Sequence, residues 1–488
     1  MLKFLRSFWR IKRPLTMEPL IAVVGATGTG KSKLAVDLAS RFNGEIINGD
    51  AMQMYRGLPI ITNQIPIEER NGIPHHLISC VELEEEPWRI GYFKRECLRL
   101  IKDIHSRGKL PILVGGTHYY TQTVLFKDQL VEESLFSGDS EDAHFNGEPE
   151  PTSAKWPILD APPEVVFQKL KEVDPVMASR WHPNDVRKIR RSLEIYFQTG
   201  KPASEIYAEQ KREKYATETN GKSSSGIGQL RYPTVIFWVH SEKETLNCRL
   251  AKRVDTMVEQ GLMAEAQRMW AYLREKKKQG VTVDQTRGVW VSIGFKELAP
   301  YFDALDNGAL SEVELEALKQ SSIELVKIAT RQYATSQIKW IRNKLWKALA
   351  DASATDNFYL LDSTVVEDWE KCVTEPSELL TQALINDEPR PDPKSISDLA
   401  RETLGAREAQ SQTQRSNLIQ TFTCEVCSRT MATEDQWNIH LNGRAHKRAI
   451  KNAAKKAERE EYLRNQQTLG VGQDRVCPTP TEQPSTPQ

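Results

Sequence analysis

The 488-residue sequence lacks several features that would assign it to a specialised class of protein. No apolar run approaches the ~20 residues that a helix needs to cross a bilayer, so we expect no membrane contact. Lysine plus arginine (66) balance aspartate plus glutamate (66), so any surface that binds nucleic acid must be a local patch. The seven cysteines form an odd, unevenly spaced set, which is typical of reduced thiols in an intracellular protein.

Acidic residues are also missing from the first sixteen positions, which carry five lysines or arginines among aromatic and aliphatic residues. This composition is typical of a mitochondrial presequence, here 1–17, although a basic disordered arm would look similar. Met17 stands just before the first apolar segment and could start a second form of the protein. We therefore expect mitochondrial and cytoplasmic forms, with a nuclear form as an open alternative.

Apolar runs of strand length alternate with amphipathic stretches of helix length, a pattern that predicts a parallel sheet covered by helices. The fold class is therefore α/β. The predicted strands are 19–24, 45–48, 109–116 and 234–240, and the predicted helices include 31–42, 88–106, 163–173, 185–198, 242–277 and a long one over 312–349.

Between the first predicted strand and helix, residues 25–32 match the P-loop pattern G-x-x-x-x-G-K-[ST]. Such a loop curls its backbone amides around phosphate oxygens at the start of a helix, where the helix dipole favours negative charge. Lys31 can reach the terminal phosphates and Ser32 can ligate Mg²⁺. The predicted diphosphate-binding residues are Gly25, Ala26, Thr27, Gly28, Thr29, Gly30, Lys31 and Ser32.

The acidic residue that P-loop nucleoside triphosphatases place at the end of a neighbouring strand is missing. The best candidate strand ends instead in Gly115-Gly116-Thr117. The nearest acidic residue after a strand is Asp50, which is expected at the carboxyl ends of the strands, where substrates bind in such sheets. Asp50 could equally be a helix N-cap or hold a water on magnesium.

Near the carboxyl end, Cys424-x2-Cys427-x12-His440-x5-His446 has the spacing of a C2H2 zinc site. Two thiolates and two imidazoles suit tetrahedral Zn²⁺, and a unit this small needs the metal to fold. The wide gap between the histidines is similar to that of fingers from double-stranded-RNA-binding proteins. The helix after it is basic, which fits phosphate contact, nuclear import or a solvated surface.

Taken together, these residues resemble the tRNA dimethylallyltransferases, in particular the eukaryotic branch. Eight stretches carry the resemblance in family order across residues 18–345. They are GATGTGKS (25–32), NGDAMQMYRGLPIITNQ (48–64), IPHHLIS (73–79), LVGGTHYY (113–120), NDVRKIRRSLEIYFQTGKPAS (184–204), KRVDTMVEQGLMAEA (252–266), SIGFKEL (292–298) and ATRQYATSQIKWIRN (329–343).

The resemblance implies transfer of a dimethylallyl group from dimethylallyl pyrophosphate to N6 of adenine 37, in the anticodon loop of tRNA. Asp50 would then accept the proton of the attacking amine, and Thr117 would line the tunnel where amine and donor meet. Lys31, Arg253 and Mg²⁺ on Ser32 would hold the departing pyrophosphate. By their residue chemistry alone, Thr117 could be only a turn residue and Arg253 only a solvated helix charge.

The resemblance also implies that Asp50, Ala51, Met52 and Gln53 bind the tRNA, and the long helix offers Arg331 and Lys339 as phosphate contacts. We expect the protein to be a monomer. Three positions depart from the family pattern. Gln64 stands where a lysine is usual, and Thr335 and Ser336 replace side chains expected to touch phosphate. These departures put the strength of tRNA binding in doubt and leave the core chemistry in place.

The predicted architecture is a P-loop parallel-sheet core with a helical insertion that grips the anticodon stem and a C-terminal zinc finger. The predicted segments are a presequence (1–17), the catalytic core in two parts (18–129 and 233–370), a disordered insertion (130–160), the helical insertion (161–232), a linker (371–420), the finger with its basic helix (421–465) and a disordered tail (466–488).

Two other functions remain open on the sequence alone. A P-loop kinase for nucleotides or small molecules would consume ATP steadily. A non-enzymatic RNA-binding protein could carry a vestigial P-loop, although Lys31, Ser32, Asp50 and Thr117 are all present and decay would be expected to erase some of them.

Overall fold

The computed structural model of the chain describes residues 18–127, 156–209, 228–308, 310–415, 422–427, 429–431 and 434–469. The chain divides into two compact units, each built from two stretches of sequence. The first unit comprises 1–143 and 212–412, and the second comprises 144–211 and 413–488. In the described ranges no helix combines the length and the hydropathy needed to span a membrane.

The first unit is built on a six-stranded sheet in which every pair of neighbouring strands is parallel. Its strand order is β3-β2-β4-β1-β5-β6. Most strand residues are buried on both faces, as expected for continuous apolar runs in a parallel sheet. The strands are β1 (Leu20–Gly25), β2 (Gly44–Asn48), β3 (His75–His76), β4 (Leu110–Val114), β5 (Thr234–His240) and β6 (Phe358–Asp362).

Helices pack on both faces of this sheet and form two apolar layers. Because side chains alternate along a strand, Trp238 belongs to one layer and its neighbour Phe237 to the other. The helices are Lys31–Phe42, Ile90–Ser106, His118–Leu125, Lys243–Gln260, Leu262–Lys278, Phe295–Asn307, Glu312–Trp340, Trp346–Asp351, Glu375–Ile385 and Asp398–Arg415, and a π-helical turn at Ile341–Leu345 joins the long helix to the next.

The strand order decides which loops meet. β2, β4 and β1 are consecutive neighbours in the sheet, and their carboxyl ends lie at one edge. The P-loop follows β1, Asp50 follows β2 and Thr117 follows β4. The three predicted parts of the site are therefore brought to the same edge of the sheet.

The second unit holds the helices Pro163–Val173, Pro175–Arg180 and Val186–Thr199 together with the finger. The finger consists of an antiparallel hairpin, β7 (Phe422–Cys424) and β8 (Arg429–Met431), followed by helices Glu434–Asn442 and Arg444–Leu469. Strand β8 contacts the short helix Pro175–Arg180. The finger thus packs on the helical insertion.

The prediction of a linker over 371–420 is wrong for most of that segment. It contains helices Glu375–Ile385 and Asp398–Arg415, and the first of them packs under the sheet. Each helix buries an apolar pair four residues apart, and this spacing places both members on one helix face. The pairs are Leu380 with Leu384 and Ala400 with Leu404.

Several predicted segments lie wholly or partly outside the described residues, among them the helical insertion at 210–227. The presequence lies outside them entirely, and so do residues 130–155 of the predicted disordered insertion. Its last residues, 156–160, are instead structured: Pro157–Asp160 is a 3-10 turn and Trp156 stacks on Phe197 at 5.9 Å. The predicted tail from 466 begins inside a helix that runs to Leu469, and 470–488 lie outside the description.

Candidate active site and metal centre

The P-loop leaves the central strand β1 and enters helix Lys31–Phe42 through two glycines with left-handed backbones, Gly28 (φ 87°) and Gly30 (φ 93°). Glycine adopts these angles at little cost, whereas a side chain would be strained. The loop is closed on itself by bonds to the carbonyl oxygen of Ala26. The Lys31 ammonium donates to it at 2.7 Å and the Thr29 hydroxyl at 2.9 Å.

A second cation reaches the P-loop from helix Lys243–Gln260. The Arg253 guanidinium donates to the Thr27 hydroxyl oxygen at 2.9 Å. Burial lowers the pKa of Arg253, and it also lowers the pKa of Lys31, to about 8. Two partly desolvated cations held at one loop are a strong attraction for an anion, because their charge is poorly screened. The alternative of a solvated helix charge at Arg253 does not describe this geometry.

Asp50 is held in a fixed orientation at the end of β2. Its Oδ1 accepts a hydrogen bond from the Met52 amide at 3.1 Å and lies 3.5 Å from the Thr117 hydroxyl. Thr117 Oγ1 also accepts the Ala51 amide at 3.1 Å. Burial raises the pKa of the Asp50 carboxyl, while the Met52 amide and the Lys31 charge act in the opposite direction. The arrangement is a shielded carboxylate beside a cation, suited to receiving a proton.

The structure adds Asn48, which the sequence did not single out. Its side chain is 5% exposed and forms hydrogen bonds with the backbone of Asp50 and of Leu77. Asn48 Oδ1 accepts the Asp50 amide at 2.9 Å, and Asn48 Nδ2 donates to the carbonyl oxygens of Asp50 (2.9 Å) and Leu77 (2.8 Å). Asn48 therefore fixes the backbone from which the Asp50 carboxyl projects.

Gln337 is a second addition, and it joins the P-loop to the loop after β4 that carries Thr117. The side chain is 4% exposed. Its Oε1 accepts the Thr27 amide at 2.8 Å and its Nε2 donates to the Gly116 carbonyl oxygen at 2.9 Å. A β-carbon on Gly116 would lie 2.6 Å from Gln337 Nε2 and 2.9 Å from Asp50 Oδ2, so only glycine fits between these two side chains.

Tyr333 is a third residue that the structure adds to the site. It lies one turn before Gln337 on helix Glu312–Trp340. Burial and the Asp50 charge raise the pKa of its phenol above the ordinary value, and hydrogen bonds with Thr117 and Gln337 act against that rise. The hydroxyl therefore faces the site although the side chain as a whole is 37% exposed. It adds a neutral hydrogen-bonding group beside Asp50 and Thr117.

The predicted tRNA-binding residues fall into two places. Ala51, Met52 and Gln53 follow Asp50 and enter the 3-10 turn Met52–Met54, beside the cluster of catalytic candidates. Arg331 and Lys339 are eight residues apart on helix Glu312–Trp340, a spacing that puts them on one helix face. Lys339 is exposed and Arg331 is half-buried.

Each departure from the family pattern has a local structural role. Gln64 is bonded within its own loop, since it donates to the Tyr55 carbonyl oxygen at 2.7 Å and accepts from the Ser79 hydroxyl at 2.6 Å. Thr335 and Ser336 are exposed, and their hydroxyls donate to carbonyl oxygens one turn earlier in the helix, at 2.9 Å each. Neither hydroxyl offers the charge that a lysine or arginine would.

The zinc-ligand candidates lie together in the second unit. The ligand atoms of Cys424, Cys427, His440 and His446 are all within 4.8 Å of one another. His446 Nδ1 is 3.6 Å from the sulfur of Cys424 and 3.4 Å from that of Cys427. Ligands about 2.0–2.3 Å from one shared tetrahedral ion have separations of this size. The donor set and its spacing fit zinc.

Comparisons with known proteins agree with this geometry. Residues 53–344 match the family model described as IPP transferase, and residues 422–446 match a zinc-finger model of C2H2 type. The chain is 38% identical to the tRNA dimethylallyltransferase of Schizosaccharomyces pombe over 92% of this chain and 99% of that protein. The human tRNA dimethylallyltransferase is 31% identical to the chain, and the match covers 89% of this chain and 86% of the human protein.

Among solved structures, the chain is similar to a eukaryotic dimethylallyltransferase studied while acting on tRNA. The sequence identity is 34% and the TM-score is 0.67. The match covers 91% of this chain and 99% of that chain.

Proposed function

This chain belongs to the tRNA dimethylallyltransferase family, and we propose that the residues gathered at the carboxyl edge of its sheet carry out the transfer. The enzyme moves a dimethylallyl group from dimethylallyl pyrophosphate to N6 of adenine 37 in tRNA. One observation carries the proposal: the P-loop, the second cation Arg253 and the oriented carboxylate of Asp50 form a single hydrogen-bonded cluster with Thr117 and Gln337.

On the donor side, the P-loop amides and the two cations bind the pyrophosphate. The bond between the allylic carbon and the pyrophosphate oxygen breaks as the new carbon–nitrogen bond forms, so negative charge grows on the leaving group. Lys31 and Arg253 are already desolvated and in place, and preorganised charges of this kind lower the barrier without having to reorganise.

On the acceptor side, the adenine must leave its stack in the loop before its amine can react. Ala51, Met52 and Gln53 line the approach to Asp50. Asp50 accepts a hydrogen bond from the N6 amine and takes the proton that the amine loses as it attacks. A raised pKa makes this carboxylate a stronger base than an exposed aspartate, while the nearby Lys31 favours its ionised form.

The kinase alternative is disfavoured by the end of β4. In a P-loop nucleoside triphosphatase an acidic residue would stand there, whereas this chain has Gly115, Gly116 and Thr117. There Thr117 bonds the backbone of the adenine-binding segment and Gly116 bonds Gln337. Competition by ATP tests this point. If millimolar ATP competed with the prenyl donor as effectively as pyrophosphate does, the kinase hypothesis would be favoured again.

Magnesium is proposed at Ser32. Ser32 borders a small cleft whose lining is polar at Asn48, Gln53 and His75 and otherwise apolar. Mg²⁺ is commonly held by few protein oxygens together with water and substrate phosphates, so one hydroxyl next to bound pyrophosphate fits. Bound there, the ion would neutralise charge on the leaving group.

The second unit is proposed to extend the contact with tRNA. The helix after the finger has an exposed basic face, and helix Val186–Thr199 begins with further exposed basic side chains. Such groups bind phosphate through charge, largely irrespective of sequence. They are Arg187, Lys188, Arg444, Lys447, Arg448, Lys451 and Lys455.

The dual destination is likewise a proposal. Residues 1–16, which precede Met17, carry five basic and no acidic side chains. A chain started at Met1 would be imported into mitochondria, and one started at Met17 would stay in the cytoplasm or enter the nucleus.

The direct test of the activity uses labelled dimethylallyl pyrophosphate and unmodified tRNA. The purified protein should transfer label to adenine 37 and release one pyrophosphate per prenyl group. A tRNA with guanosine at position 37 is the matched control and should remain unlabelled. Steady consumption of ATP without prenyl transfer would contradict the assignment.

A further inference from the structure

Two glycines of the P-loop, Gly28 and Gly30, lie against side chains from other parts of the first unit. A β-carbon on Gly28 would lie 2.8 Å from Leu250, on helix Lys243–Gln260. A β-carbon on Gly30 would lie 2.6 Å from both Cζ3 and Cη2 of Trp369. Glycines allow the loop its left-handed turns but do not hold it in them. The packed side chains supply that restraint from outside.

Trp369 comes from a segment beyond the residues that match the transferase family model, which end at 344. The indole packs against the apolar layer that contains the buried side chains of helix Lys31–Phe42. The Lys33 ammonium lies 5.0 Å from the centre of its ring. The ring therefore touches the P-loop at Gly30 and the first turn of the helix that follows it.

The segment that carries Trp369 is itself anchored to the helix that carries Arg253. After β6, the Thr364 hydroxyl oxygen accepts the Glu242 amide at 2.9 Å, and the Thr364 carbonyl oxygen accepts Arg249 at 2.8 Å. Arg249 and Arg253 are one helical turn apart. Direct hydrogen bonds therefore join the segment that carries Trp369 to the helix that carries Arg253, and both contact the P-loop.

We propose that Trp369 is a positioning residue for the diphosphate site. Its ring holds the Gly30 end of the P-loop in the shape that directs backbone amides and Lys31 at the pyrophosphate. This inference rests on the proposed location of pyrophosphate at the P-loop. Without the ring, the two glycines gain conformations that do not bind, and the affinity falls by the fraction of time the loop spends in them.

The experiment measures inhibition by inorganic pyrophosphate, with magnesium present, in wild type, Trp369→Ala and Trp369→Phe. Trp369→Ala should raise the inhibition constant and the KM for dimethylallyl pyrophosphate together, by roughly tenfold, because both ligands use the same loop. Trp369→Phe keeps a ring over Gly30 and should stay within about threefold of wild type. The KM for tRNA should not change in either variant.

Trp346→Ala is the matched control. Trp346 is 6% exposed and packs on Phe358 in the opposite apolar layer, so its loss costs a comparable ring without touching the P-loop. It should lower thermal stability and leave the inhibition constant for pyrophosphate unchanged. If Trp369→Ala does not fold, Trp369→Leu provides the same comparison, since it keeps apolar volume but no ring.

The outcomes distinguish the location of the diphosphate site from the role of Trp369. If pyrophosphate does not inhibit the wild-type enzyme competitively with the prenyl donor, the location of the diphosphate site is wrong. If it does, and Trp369→Ala or Trp369→Leu keeps the wild-type inhibition constant, Trp369 only fills the core and the inference is wrong.

Discussion

The pKa of Lys31 predicts a loss of donor binding at alkaline pH. Burial lowers this pKa from 10.5 to about 8, with the Asp50 charge raising it and the Arg253 charge lowering it. The ammonium must be protonated to bind pyrophosphate. The ratio kcat/KM for dimethylallyl pyrophosphate, measured at saturating tRNA, should therefore fall about tenfold for each pH unit above 8. A lysine with an ordinary pKa would stay charged through pH 9.

Variants separate Lys31 from other titrating groups. Lys31→Arg keeps its charge at all these pH values and should lose the alkaline limb. Arg253→Gln removes a neighbouring positive charge, so the limb should move to higher pH. His118 and His240 cannot cause it, because burial lowers their pKa values to about 3 and about 4. A wild-type kcat/KM that is constant from pH 7.5 to 9.5 would refute the reasoning.

Four further outcomes follow from the contacts. Asp50→Asn should slow the single-turnover rate by about 10²–10⁴ while tRNA affinity stays within a few-fold, and a near-normal rate would remove Asp50 from the mechanism. Gln337→Ala leaves the Thr27 amide and the Gly116 carbonyl without their bonds, costing roughly 1–3 kcal/mol in unfolding free energy and raising the KM for the donor, whereas an unchanged melting temperature would contradict its buried role. Cys424→Ser should abolish zinc binding, raise the KM for tRNA with little change in kcat, and expose helix Pro175–Arg180 to hydrogen exchange because β8 contacts it; wild-type affinity and salt dependence would remove the finger from tRNA binding. Tagged Met17→Ala protein should become mainly mitochondrial, and an unchanged distribution would exclude the second start.

The parts of the fold that the sequence predicted are those with a dense local signal. β1 and β5 are unbroken apolar runs, and helix Lys31–Phe42 begins where the P-loop motif requires a helix. Helix Asp398–Arg415 was missed because its composition is polar. Helix Glu375–Ile385 carries a clearer apolar stripe, but the polar, proline-rich stretch 386–395 that separates it from the next helix is typical of a linker. The finger's packing on helix Pro175–Arg180 was missed as well, since the two segments are about 250 residues apart in the chain.

The site divides in the same way. Its motif residues could be placed from the sequence, because P-loop, strand-end aspartate and zinc spacing are patterns within a short window. The contacts that hold these residues together join positions hundreds of residues apart: Thr27 with Gln337, and Thr27 with Arg253. Hydrogen bonds of this kind depend on the final packing of the helices, and no periodicity in the sequence encodes the partner.

The sequence nevertheless carries one signal for Gln337, which is a polar residue at a core position of a helix. On helix Glu312–Trp340 the buried positions Ile323, Val326 and Ala334 form an apolar stripe, and Gln337 continues it toward buried Ile341. A glutamine at a core position must find hydrogen-bond partners, because an unpaired buried amide is costly. The departures at Thr335 and Ser336 fall on the opposite, exposed face of the same turn. If that face contacts RNA, as the family resemblance implies, sequence changes there would alter the contact while the buried amide keeps the P-loop joined to the loop after β4.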